Sequence, residues 1–138
     1  MAGITRFEEI QAWQTARQLT NLIYQFTGQG AFVKDFALRD QIRRAAVSVM
    51  SNIAEGFESR TQAQFVNYLG QAKASAGEVR CQLYIALDQK YISQEQFNEA
   101  AELADKAARQ ISRFIDYLEA NPRARRIREG AVEYRANV

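Results

Sequence analysis

The chain has no histidine and a single cysteine, Cys81. Those two shortages remove most of the side chains that enzymes use as nucleophile, acid–base pair or transition-metal ligand. A lone cysteine also forbids an intrachain disulfide and favours a reducing compartment, the cytoplasm. Proline occurs once, at Pro122, and glycine seven times in 138 residues, so little interrupts long regular elements. No apolar run approaches the roughly 20 residues of a membrane span, and the opening MAGITRFEEI lacks the apolar stretch of a signal peptide. Gly28-Gln29-Gly30 is not a phosphate loop, because the Lys and Ser/Thr that would follow are missing. Di-metal bundles use Glu-x-x-His pairs, and there is none here. Carboxylate chemistry through Glu55, Glu58 and Glu78 is all that remains. The expectation is a protein with no catalytic residues, no metal, no cofactor and no membrane partner.

What is present fits one soluble domain, since 47% apolar residues in a chain of this length can build a core without staples. Charge is unevenly placed. Residues 1–120 carry 13 basic and 14 acidic side chains, a net of −1. Residues 121–138 carry five arginines against Glu129 and Glu133, a net of +3. The chain thus divides into a folded body, 1–120, and a flexible Arg-rich C-terminal tail, 121–138. Such a tail is attracted to phosphates or acidic surfaces, and Arg123, Arg125, Arg126 and Arg128 are its candidate nucleic-acid contacts.

Four segments have helical periodicity and none alternates like a strand. The first spans about Phe7 to Phe26, with Ile10, Trp13, Ala16, Leu19, Ile23 and Phe26 in one stripe, and ends in Gly28-Gln29-Gly30. The second spans Asp35 to Phe57, with Phe36, Ile42, Ala46, Val49, Ile53 and Phe57 facing inward. Thr61 with Gln64, and Ser93 with Gln96, read as capping boxes that open the third and fourth helices. The third runs to about Lys90, and Asn121-Pro122 stops the fourth. Four helices joined by short turns predict an all-α, antiparallel up-down-up-down four-helix bundle.

Three features exceed that plan. Residues 43–60, RRAAVSVMSNIAEGFESR, set polar groups at fixed spacing in a core-like helix, where each needs a partner. Arg44 is expected inside, paired with Glu55 or Glu78, and Ser48, Ser51 and Asn52 complete a structural polar network. Arg39 and Arg43 share the neighbouring face and are the candidates for phosphate. Second, Gly70, Ala72, Ala74, Ser75, Ala76 and Gly77 crowd small side chains into the third helix, which predicts close approach by a neighbouring helix, first within the same bundle and alternatively from another subunit. Third, Tyr24, Tyr68, Tyr84, Tyr91, Tyr117, Leu22, Ile85 and Phe114 fall off or beside the stripes, which favours a second buried face and homo-oligomerisation.

The 43–60 stretch resembles the signature of the four-helix bundle family of 23S rRNA intervening-sequence proteins. The match includes Arg43 to Ser48, Ser51 to Gly56 and Arg60, and extends to Trp13-Gln14, Ala16-Arg17 and Tyr24 upstream. Downstream it continues through Phe65, Tyr68, Leu69, Ala72, Ser75 and Glu78, so it covers roughly residues 6–120. Met50 stands where the family often has proline, which softens an expected kink, and Ala74 replaces the usual glycine before Ser75. The resemblance implies a single bundle assembled into a ring-like homopentamer. Some members are encoded in insertions within bacterial 23S rRNA genes. Related accessory proteins of diversity-generating retroelements bind nucleic acid and a reverse transcriptase. The near-neutral body here favours the intervening-sequence branch. The expected role is a non-enzymatic, cytoplasmic homo-oligomer that binds RNA or another nucleic acid through electrostatics. The alternative is a protein–protein scaffold, such as an accessory subunit for a reverse transcriptase.

Overall fold

The computed structural model describes residues 3–122, so the tail and its candidates Arg123, Arg125, Arg126 and Arg128 lie outside the described residues. Within them are four α-helices and no strand: α1 Gln11–Thr27, α2 Phe36–Glu58, α3 Gln62–Asp88 and α4 Gln94–Ala120. Short 3-10 turns occupy Phe7–Glu9 and Phe32–Lys34. No described helix is long and apolar enough to cross a membrane.

The caps explain where three helices start. Thr61 Oγ1 accepts the Gln64 N–H at 3.1 Å while Gln64 Oε1 accepts the Thr61 N–H at 3.2 Å. Ser93 and Gln96 repeat the exchange at 3.1 and 2.8 Å. Asp35 caps α2 by accepting the Leu38 N–H at 3.1 Å. Each such cap satisfies donors that the helix cannot, and contributes about 1 kcal/mol.

Two boundaries differ from the sequence reading. The first helix does not run from Phe7: Phe7–Glu9 is one 3-10 turn, Ile10 is extended at φ −74° and ψ 124°, and α1 begins at Gln11. The cause is burial. Ile4 and Ile10 are both fully buried, so the entering segment folds over the core rather than leading straight into the helix. At the other boundary α3 stops at Asp88, because Lys90 takes a left-handed φ of 63°. The Tyr91 N–H then bonds the Ala86 carbonyl at 2.9 Å and the Lys90 N–H bonds that of Leu87 at 3.0 Å. This is the Schellman closure that glycine usually makes. α2 passes unbroken through Met50.

Each helix packs on the next in sequence, and α4 closes against α1. Thr20 meets Ala46 and Thr27 meets Arg43 across α1–α2. Ser48 meets Ser75, and Gly56 meets Phe65 and Tyr68, across α2–α3. Tyr84 meets Phe97 and Gln62 meets Leu118 across α3–α4. In every pair, ascending one helix means descending the other, so the neighbours are antiparallel.

The core has two halves. One gathers Val49, Ile53, Phe57, Phe65, Leu69, Ile111 and Phe114 over Ile4 and Ile10. The other gathers Leu19, Ile23, Phe26, Phe32, Ile42, Leu83 and Phe97. Phe65 is central to the first, edge-on to Phe57 at 6.1 Å and to Phe114 at 5.2 Å between ring centres. Gly56 rests on it: a Cβ there would lie 2.8 Å from Phe65 Cδ1 and 2.9 Å from Tyr68 Cβ.

Three expectations about packing need correcting. Phe114, read as off-stripe, is fully buried. Phe36, read as core, is 63% exposed; six positions before Ile42, it sits about 120° around the helix from it. The small residues of α3 divide by side. Ala72 and Ala76 are fully buried and Ser75 bonds Ser48. Gly70, Ala74 and Gly77 are exposed, and a Cβ at either glycine would meet nothing within 4 Å. Close approach inside the bundle therefore does not account for those two glycines.

Candidate functional site

The N-terminal half of α2 sets Arg43 and Arg44 at a groove of about 900 Å³, and Arg39 lies outside its lining. Helical spacing turns residues 40, 44, 47, 51 and 55 outward, while 43 leans toward α1 and 48 and 52 lean toward α3. Tyr24 of α1 borders one side of the groove and Glu78 of α3 the other.

On the α1 side, Arg43 Nε donates to Thr27 Oγ1 at 2.8 Å, and its guanidinium carbon lies 4.6 Å from the Tyr24 ring centre. Thr27 passes the chain on, donating to the Ile23 carbonyl at 2.7 Å. Arg39 Nε donates to Asp40 Oδ1 at 2.8 Å and Nη1 to the Val33 carbonyl at 3.1 Å, with the guanidinium 4.8 Å from the Phe36 ring centre. That bond from Arg39, reinforced by the charges of Arg39, Arg44 and Arg43, holds the Asp40 carboxyl below the usual carboxylate range. Asp40 is therefore an anion throughout the neutral range.

On the α3 side lies the polar network. Asn52 Nδ2 donates to both the carbonyl and the hydroxyl of Ser48 at 2.9 Å, and Ser75 Oγ donates to Ser48 Oγ at 3.0 Å. These bonds satisfy groups half-buried at the α2–α3 seam. Glu78 stands at the rim and accepts from Gln82 Nε2 at 3.3 Å. Gln82 is 6% exposed, and its Oε1 has no partner among the described residues.

The two adjacent arginines are placed the other way round from the sequence reading. Arg43, read as the outward cation, is half-buried between α1 and α2. Arg44, read as internal, is exposed, and no ion pair joins it to Glu55 or Glu78 among the described residues. Glu55 is likewise exposed, and Ser51 faces the groove beside it. Sequence reasoning missed Thr20 and Thr27, buried threonines seven positions apart on the α2 side of α1. Their seven-residue spacing beside the apolar stripe was the available signal. Sequence reasoning also read Phe36 as core and Tyr24 as part of an assembly face, whereas both rings lie beneath arginines.

The family model described as 23S rRNA-intervening sequence protein matches residues 8–113. No curated protein matches in sequence. Among solved structures, a crystal structure of a protein with unknown function from the S23 ribosomal protein family of Bacteroides thetaiotaomicron VPI-5482 is similar, with a TM-score of 0.70 and 21% identity. The similarity covers 76% of this chain and 95% of that one. At that identity it shows the shared fold.

Proposed function

The chain belongs to the 23S rRNA-intervening sequence protein family, and from that premise we propose that it is a non-enzymatic, homo-oligomeric bundle that binds RNA through electrostatics. One observation carries the reading. A body with a net charge of −1 sets Arg39, Arg43 and Arg44 at one end of a single helix, and Arg43 and Arg44 border an open groove there. Cations gathered on a near-neutral surface attract phosphate and release its counterions. Lacking histidine, and with its one cysteine exposed in mid-helix, the chain offers little for covalent or general-base chemistry.

The second element is self-association. Glycine inside a helix costs about 0.5–1 kcal/mol relative to alanine, and Gly70 and Gly77 have no neighbour among the described residues to justify that cost. With Ala74, Tyr84 and Ile85 they leave α3 a smooth, partly apolar exposed side. A second copy of the chain accounts for it. In the ring implied by the family resemblance, five tails of +3 each would sum to about +15, so weak contacts would act together. The scaffold reading uses the same side of α3 for a different protein.

RNA binding measured at several salt concentrations tests the proposal. Full-length protein is expected to bind with a steep log–log salt dependence. Truncation to residues 1–120 should flatten the slope by about 3 if four tail arginines engage single strands. Absence of binding at low salt sinks the RNA reading, and an unchanged slope removes the tail from it. A partner recovered from nuclease-treated native lysate would favour the scaffold. A monomeric mass in solution would end the oligomer.

A further inference from the structure

The α1–α2 edge holds three guanidinium–aromatic stacks: Arg17 over Trp13 at 5.8 Å, Arg43 over Tyr24 at 4.6 Å, and Arg39 over Phe36 at 4.8 Å. Such contacts occur about once in 70–80 residues. Three on one pair of helices, within residues 3–122, is a local excess. Two of the rings are also strongly exposed, Tyr24 at 45% and Phe36 at 63%. Phe36 opens α2, where an alanine or a glutamate would serve the helix better than a ring left in water.

The two rings belong to one continuous surface. Asp40, bonded to the Arg39 that covers Phe36, borders the same groove as Tyr24, Arg43 and Arg44. Phe36 and Arg43 stand seven residues apart, a rise of about 10 Å along α2, or about three steps between stacked bases. The cations sit at the N-terminal end of this surface, where Lys34, Arg39, Arg43 and Arg44 outnumber Asp35 and Asp40, while Glu55 and Glu78 line the far end of the groove. Asp35 is occupied by the Tyr91 hydroxyl at 2.9 Å and the Leu38 N–H. Asp40 is occupied by Arg39.

We propose that this edge binds unpaired nucleotides of single-stranded RNA. Bases stack on the exposed faces of Phe36 and Tyr24, Arg39 and Arg43 hold those rings in place and neutralise nearby phosphates, and Arg44 and Lys34 meet the backbone directly. The proposal rests on the RNA reading above and narrows it from any polyanion to single strands. Exposed rings offer nothing to a duplex, whose bases are already stacked on one another. They offer every unpaired base a π-face, whatever its sequence. The excess of cations at the Phe36 end favours this ligand over a protein segment.

The test uses full-length protein with a labelled oligouridylate about a dozen nucleotides long and an RNA duplex of similar length, at ~50 and ~200 mM salt. Phe36→Ala and Tyr24→Ala are each expected to weaken single-strand binding about fivefold or more. They should leave duplex binding and the salt slope unchanged, and Phe36→Trp should restore affinity. Arg44→Gln should weaken both ligands and flatten the slope. Both rings lie outside the core, so thermal unfolding by circular dichroism should show every variant folded. Ultraviolet cross-links to uridine should map to Tyr24 or Phe36. Ring variants that bind like wild type, or that lose single strand and duplex equally, overturn the stacking proposal and leave the electrostatic reading standing. Wild-type protein that binds neither RNA overturns both. If the ring variants then change the sedimenting mass, the edge is a protein contact instead.

Discussion

Glycines at the α2–α3 seam and on the open side of α3 are there for opposite reasons. At the seam, Gly56 of α2 has ring and Cβ atoms of α3 2.8 and 2.9 Å from where its own Cβ would be, and Ser75 reaches Ser48 across a 3.0 Å bond. Away from α2, Gly70 and Gly77 face open space. A glycine in contact is there because nothing larger fits. A glycine without contact inside a helix weakens it and gives the folded chain nothing in return. The first kind is explained by the fold, and nothing among the described residues explains the second.

The largest test of that contrast is Phe65→Ala. The ring is fully buried and central to the aromatic cluster, so urea unfolding should show a loss of about 3–5 kcal/mol. Gly56→Ala comes next. Overpacking costs about 1–3 kcal/mol and the helix regains about 1, so a net loss is expected. That loss should shrink in the Phe65→Ala background, where much of the clash is gone, and a double-mutant cycle measures the coupling. A stabilising Gly56→Ala would show that this side is not tight. Ser48→Ala strips Ser75 of its acceptor and Asn52 of one of its two, for an expected loss of about 1 kcal/mol in the same assay. Smallest is Gly77→Ala, which should stabilise the single chain by about 0.5–1 kcal/mol. The same substitution should weaken self-association in sedimentation velocity. Unaltered association would remove the open side of α3 from the assembly.

Legibility in the sequence followed the range of the forces involved. Thr61–Gln64 and Ser93–Gln96 act over three residues and were readable directly, as was the stop at Pro122. The start of α1 was not, because the break at Ile10 depends on a core built by residues far along the chain. The orientation of Arg43 and Arg44 was not readable either. Both flank the stripe of Ile42, Ala46 and Val49, and a 100° step separates them. Which one turns inward depends on where α1 lies, and that is tertiary information. The polar network was half visible: Ser48 and Asn52 are four residues apart, but Ser75 joins them only across the α2–α3 seam. Phe36 kept a core-like identity at a position the helix turns to solvent.

The α3–α4 turn has a kinetic consequence. The Schellman bonds of Lys90 and Tyr91 and the Ser93–Gln96 box all join residues no more than five positions apart. Closures this short take about 10–100 ns, whereas Ile4 and Ile10 must wait for a core contributed by α2, α3 and α4. The expected folding order is the α3–α4 hairpin early and the N-terminal segment last. Pulsed hydrogen exchange would show it as amide protection across Leu83–Phe97 preceding protection at Gln14, and the reverse order would refute it.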